Sequence, residues 1–268
     1  MKIFFCLLFS TLVAFGLEIT VEKIYPRNML QNAEVKVLPN GLPETWHFDN
    51  CTQASYMIGS ATSGVLCVEA GRKNSAYFYQ YVKVEEDVKY YSEVQARSSG
   101  PNVLIWIKTN QFDDKKNPQH HPFSQTEIFH EGKSAFGDEF LEELSMFVNP
   151  KLLRTLSASK WSTIRGEFVS MPGQNVDTYR WAVGAYFGPP GKVFCRNMYF
   201  APAAWVLRVA VKGKGAKNLI LHHSSNLERR ELDPETELQT VEFKLASRMI
   251  PLRLELIDHN GNIQHREP

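Results

Sequence analysis

Twelve residues of this chain place flat rings and planar polar groups at alternating positions. Tyr79 and Tyr81 lie in AYFYQYVKV; Tyr91, Glu93, Gln95 and Arg97 in KYYSEVQAR; Trp106 and Lys108 in VLIWIKTN. Arg165 and Glu167 lie in WSTIRGEFV, and Arg180 and Tyr186 in TYRWAVGAYF. Rings of this kind lie against the apolar faces of pyranoses, while Arg, Gln and Glu meet hydroxyls in fixed geometry. The set reads as a candidate sugar-binding surface. Catalytic signals are weak: there is no Gly-x-Ser-x-Gly elbow, no His-Glu-x-x-His, no phosphate loop and no dinucleotide fingerprint. Glu93 and Glu167 are the carboxylates that a glycosidase reading can use. His120, His121 and His130, with Asp113 and Asp114, could ligate a metal, but their Pro-flanked polar surroundings have the composition of a solvated loop. His222 and His223 are adjacent on a strand and so face opposite ways.

The elements that must position these side chains are strands. Runs rich in aromatic and β-branched residues between Ala76 and Asn110 are separated by polar breaks at Glu85–Asp87 and Ser98–Pro101. Successive side chains on a strand point to opposite faces. Phe78, Val82 and Val84, then Tyr90, Ser92, Val94 and Ala96, then Val103, Ile105 and Ile107 form the core-facing sets. The ring-and-charge residues take the other face. Ile164 and Phe168 put Arg165 and Glu167 outward, and Trp181, Val183 and Phe187 do the same for Arg180 and Tyr186. Further strands are predicted at Trp46–Phe48, Gly64–Glu69 and Lys192–Phe200. Residues 137–157 carry the one helical pattern, with Asp138 as a cap and Phe140, Leu141, Leu144, Phe147 and Val148 as its apolar stripe.

Ala201-Pro202-Ala203-Ala204 reads as a boundary. Beyond it, short strands are expected at Trp205–Lys212, Leu219–His223, Gln239–Leu245 and Leu252–Asp258. An Asn260-Gly261 turn leads from the last of these into Ile263–Arg266. The chain has 268 residues, with 30 basic against 29 acidic, a balance that argues against a nucleic-acid partner. Met1 to Gly16 carries Lys2, an apolar run from Ile3 to Phe15, and small residues at Ala14 and Gly16. It is read as a secretory signal, the alternative being an N-terminal anchor. The expected division is a signal at 1–16, a β-sandwich at 17–203 and a small β domain at 204–268. The product is then secreted or periplasmic, with no membrane contact after cleavage. Cys51, Cys67 and Cys195 match no metal spacing; one pair with one thiol, or three thiols, are both open. Asn50-Cys51-Thr52 is formally a glycosylation acceptor in a eukaryotic source.

The order of segments resembles carbohydrate-binding modules of families 4, 9 and 22, a jelly-roll group with a galactose-binding-like fold. The resemblance is carried by Asn28-Met29-Leu30-Gln31-Asn32, Pro43-x-x-Trp46, Gly64 to Val68, Gln80-x-Val82-x-Val84, Tyr90 to Arg97, Trp161 to Phe168 and Cys195 to Tyr199, across about Asn28 to Ala201. It implies an all-β jelly-roll sandwich and a carbohydrate partner. Many such modules hold a structural calcium between the first and last strands. Here Lys36 and Arg196-Asn197 stand where carboxylates are expected, so no calcium, and no other cofactor, is expected. The helical insertion and the C-terminal segment depart from the family pattern.

The leading reading is a secreted, non-catalytic carbohydrate-binding protein. The alternatives are a structural or protein-interaction β-sandwich without sugar binding, and a jelly-roll enzyme acting on polysaccharide.

Overall fold

The computed structural model describes residues 16–39, 41, 43–50, 58–62, 64–70, 76–98, 105–112, 128–130, 154–155, 160–170, 178–185, 191–224 and 226–268. These residues form strands β1 (Glu18–Ile24), β2 (His47–Asn50), β3 (Ile58–Thr62), β4 (Val65–Ala70), β5 (Ala76–Lys83), β6 (Lys89–Ser98) and β7 (Ile105–Phe112). Next come β8 (Ile128–His130), β9 (Arg154–Thr155), β10 (Ser162–Val169), β11 (Thr178–Ala185) and β12 (Gly191–Pro202). The last are β13 (Trp205–Lys212), β14 (Ala216–His223), β15 (Asn226–Glu231), β16 (Leu238–Leu245), β17 (Leu252–Asp258) and β18 (Ile263–Arg266). No helix occurs among the described residues. The helical pattern at 137–157 lies outside them except at Arg154–Thr155, which are strand.

The chain divides into two compact units, Arg27–Pro202 and a second that joins residues up to Pro26 with Ala203–Pro268. The larger unit holds a five-stranded sheet, β10-β6-β12-β4-β3, and a six-stranded sheet, β2-β5-β11-β7-β8-β9. From β4 to β7 and again from β10 to β12 the chain crosses to the other sheet at every step, the crossing expected of a jelly roll. All described pairings except β8 with β9 are antiparallel.

The parity read from the sequence holds where side chains are described. Phe78, Val82, Tyr90, Val94, Ala96, Ile164, Trp181, Val183, Val193 and Phe200 share one buried cluster between the sheets. Trp181 is fully buried and sits edge-on to Trp46, with ring centroids 5.8 Å apart. Its indole Nε1 donates to Ser92 Oγ at 2.7 Å, so a buried serine on the core face of β6 meets the one polar group of the tryptophan. Gln80, also on a core-facing position, grips the backbone of Gln31 from both ends of its amide, at 2.9 and 2.7 Å. Asn28 accepts from Leu30 and Phe200 and donates to Met198, tying the lead-in segment to β12 beside its bulge.

The smaller unit corrects the expected domain limits. Glu18–Ile24 pairs antiparallel with Trp205–Lys212, so the first strand belongs with the C-terminal segment rather than with the domain read as 17–203. Its sheets are β1-β13-β16 and β15-β14-β17-β18, around Leu207, Val209, Leu219, Leu221, Phe243 and Leu254. The strand Asn226–Glu231 went unread because five of its six residues are polar or charged and most are exposed, so it shows no apolar alternation.

Candidate functional site

Eleven of the twelve candidate residues divide between the two sheets. Tyr91, Glu93, Gln95, Arg97, Arg165 and Glu167 belong to the five-stranded sheet. Tyr79, Tyr81, Arg180, Trp106 and Lys108 belong to the six-stranded sheet, and Tyr186 lies outside the described residues. They do not make one site.

On the six-stranded sheet, register builds three adjacent rows. Asp49, Tyr77, Gly184 and Trp106 are cross-strand neighbours in the first; His47, Tyr79, Ala182 and Lys108 form the second; Tyr81, Arg180 and Asn110 form the third. β5 is a strand because aromatic and β-branched residues fill it, and its period of two sends three consecutive odd-numbered tyrosines to one face. Their rings are contiguous: Tyr77 to Tyr79 is 5.9 Å between centroids, and Tyr79 to Tyr81 is 5.5 Å at 85°. His47 stacks on Tyr79 at 5.1 Å and 28°. The ladder runs from covered to open, from Tyr77 at 4% exposure to Tyr81 at 43%. The Arg180 guanidinium lies 5.6 Å from the Tyr77 ring centroid and 5.7 Å from that of Tyr79.

The next strand supplies the floor. Ala182 and Gly184 on β11 stand between the tyrosine strand and the register positions of Trp106 and Lys108. Two strand spacings, about 10 Å, separate the flanking backbones. The strip of two very short side chains is a covered trough: Ala182 is 1% exposed, Gly184 is buried, and the Arg180 guanidinium lies beside both Tyr77 and Tyr79, which leaves the accessible part of this face at its Tyr81 end. Gly184 is short out of necessity: a Cβ there would lie 2.1 Å from the Ala76 carbonyl oxygen and 2.7 Å from Tyr77 Cα. Tyr77, Gly184 and His47 were missed as site residues. Tyr77 carried the same parity signal as Tyr79 and Tyr81, whereas the other two are defined by cross-strand register, which the sequence does not print.

The five-stranded sheet presents a different surface. Tyr91 is buried and donates its hydroxyl proton to the Glu93 carboxylate, and its ring meets Tyr199 edge-on at 6.2 Å. Gln95 Oε1 accepts from Arg196 Nε at 3.0 Å and from Asn197 Nδ2 at 3.1 Å. The Arg97 guanidinium lies 4.7 Å from the Phe194 centroid and 5.2 Å from that of Trp161. Glu93 and Glu167 stand in register opposite Arg165 and Tyr91 respectively, on the outer face of a sheet rather than across a cleft.

Among the described residues, no group of three His, Cys, Asp or Glu side chains is placed to hold a metal. At the position compared with a family calcium site, the Asn32 side chain bonds the Lys36 backbone at both N–H and C=O. Arg196 stacks on Trp161 at 4.0 Å. Cys67 and Cys195 carry thiols rather than a disulfide, and burial pushes the Cys195 thiol up. Cys51 and the histidines at 120 and 121 lie outside the described residues. His222 and His223 turn apart, to Glu255 at 3.0 Å and to Glu228 at 3.1 Å.

No known protein family and no curated protein matches the sequence. Among solved structures the chain is similar to carbohydrate-binding modules of families 4, 16, 22 and 61. A family 4 module is 11% identical with a TM-score of 0.39, over 59% of this chain and 86% of that one. The N-terminal cellulose-binding domain of a Cellulomonas fimi β-1,4-glucanase is 10% identical with a TM-score of 0.36, over 66% and 97%. The enzymatically active domain of a bacteriophage CBA120 tailspike protein is 10% identical with a TM-score of 0.42, over 65% of this chain and 21% of that one.

Proposed function

We propose that this is a secreted, non-catalytic carbohydrate-binding protein, which takes an oligosaccharide or polysaccharide segment against the tyrosine ladder of the six-stranded sheet. The observation that carries the reading is the contiguous Tyr77–Tyr79–Tyr81 ladder, open at Tyr81, with the Arg180 guanidinium beside its first two rings. The exposed rings supply the platform for the apolar face of a sugar, and the planar guanidinium beside them is suited to hydroxyls. Tyr81, the most exposed of the three, is the ring that meets ligand first. Secretion belongs to the same proposal and is supported by the apolar run that follows Lys2.

A pull-down on a panel of insoluble polysaccharides tests it. Tyr79→Ala with Tyr81→Ala should weaken binding by about 1–3 kcal/mol per ring in contact. The melting temperature should change little, because neither ring belongs to the buried cluster. Unchanged binding in a folded double variant would remove the ladder from the account.

A further inference from the structure

We propose that the outer face of the five-stranded sheet is a second binding surface, specific for an acidic polysaccharide bearing carboxylate or sulfate groups. This does not depend on the tyrosine ladder binding sugar. This face carries a set of guanidiniums held in place without carboxylates. Arg97 is flanked by Trp161 and Phe194, and Arg196 lies over the same Trp161. Gln95 holds Arg196 by its Nε, and Asn197 bonds the same Gln95 oxygen. Arg165 is exposed one strand away, opposite Glu93, whose carboxylate already accepts from Tyr91. Among the described residues no carboxylate comes within ion-pair distance of Arg97, Arg165 or Arg196.

Stacking uses the flat face of a guanidinium; with the Arg97 Nε buried and the Arg196 Nε held by Gln95, the terminal Nη groups are the ones left to donate. Those edges match carboxylate and sulfate oxygens in paired geometry. The side chains are already immobilised by rings and by Gln95, so little rotamer freedom is lost on binding. The partner's class follows from what lies between the cations. Gln95, Asn197 and Thr163 are neutral hydrogen-bonding groups suited to hydroxyls, and they lie on adjacent strands of one sheet, a row that an extended polymer can follow. Trp161 and Phe194 are engaged by guanidiniums, which disfavours the stacking of nucleic-acid bases on them.

Native affinity electrophoresis of the full chain, in gels containing polygalacturonate, dextran sulfate or uncharged dextran, tests the proposal. Wild-type protein should be retarded by at least one acidic polymer, and the retardation should fall with salt. Arg97→Gln with Arg196→Gln should weaken it about tenfold or more. Tyr79→Ala with Tyr81→Ala, on the other sheet, should leave it within about twofold. Arg97→Lys should restore it only in part, because the charge returns without the planar fork. Arg165→Gln touches no ring, so it gives a reading if the double variant fails to fold; it should weaken retention by a few-fold. No retention of wild type by either acidic polymer, or full retention of the arginine variants, would overturn the proposal. So would equal affinity for phosphatidylserine vesicles or oligothymidylate, which would reduce the face to a general anion patch.

Discussion

Gly184 shows how a single residue shapes the candidate site. Adding even a methyl group would drive Cβ to within 2.1 Å of the Ala76 carbonyl oxygen, backbone that cannot swing aside. Gly184→Ala should therefore destabilise the larger unit by about 1–3 kcal/mol, as overpacking does. Urea denaturation should show a lower midpoint with an unchanged slope. A variant as stable as wild type would show that β5 and β11 are not packed this closely. From sequence, a glycine inside a strand signals only a weak or kinked position. Its partner across the strand had to be seen before its role was clear. Gln80 and Ser92 carry the same lesson: both sit at core-facing positions, and only the three-dimensional fold reveals Gln31 and Trp181 as their partners.

At the scale of elements, alternation made most of the larger unit legible. The core sets of β5, β6, β10 and β11 are those the strand period predicts, because each strand has one face wholly committed to burial. Which sheet each strand joined was not legible, since parity names a face and not a neighbour. That is why the eleven described candidates fall on two sheets. In the smaller unit, Glu255 on β17 gathers His222 of β14 at 3.0 Å, Arg253 at 2.9 Å and His265 of β18 at 3.3 Å. The hydrogen bond from His222 is the largest influence holding its carboxyl below the ordinary glutamate range, with His222, Arg253 and His265 adding attraction. A depressed folded value stabilises the protein above that ordinary range, and the contribution is lost as pH falls through the folded value. Glu255→Gln should thus flatten the acid side of a plot of melting temperature against pH and leave its shape above about pH 7 little changed. An identical acid slope in the variant would mean that this cluster does not couple to folding. Chelation is a second element-scale test. The lead-in segment and β12 are joined by the Asn28 amide, and Lys36 and Arg196 occupy the positions compared with carboxylates. Excess EDTA should leave the melting temperature unchanged, and a fall of several degrees would reveal an ion held by other oxygens.

Across the whole molecule, the boundary near Ala203 was readable from its Pro and Ala composition. The membership of Glu18–Ile24 was not, because a strand's partner can lie at the far end of the chain. Both units are sandwiches in which side chains alternate between core and solvent. In the larger one, the solvent faces carry more rings and guanidiniums than solubility needs, and the two faces differ in kind. The tyrosine ladder runs beside buried short residues and opens at Tyr81; the arginine face is built around rings already engaged by cations. Sugar binding through the ladder is the central claim. A glycan array probed with the wild-type chain and with the Tyr79→Ala, Tyr81→Ala variant tests it most directly. Wild type should bind a defined subset of neutral glycans, and the folded variant should lose at least about tenfold of that signal, the scale of one lost ring contact. Failure of wild type to bind any neutral glycan, or equal binding by the variant, would contradict it.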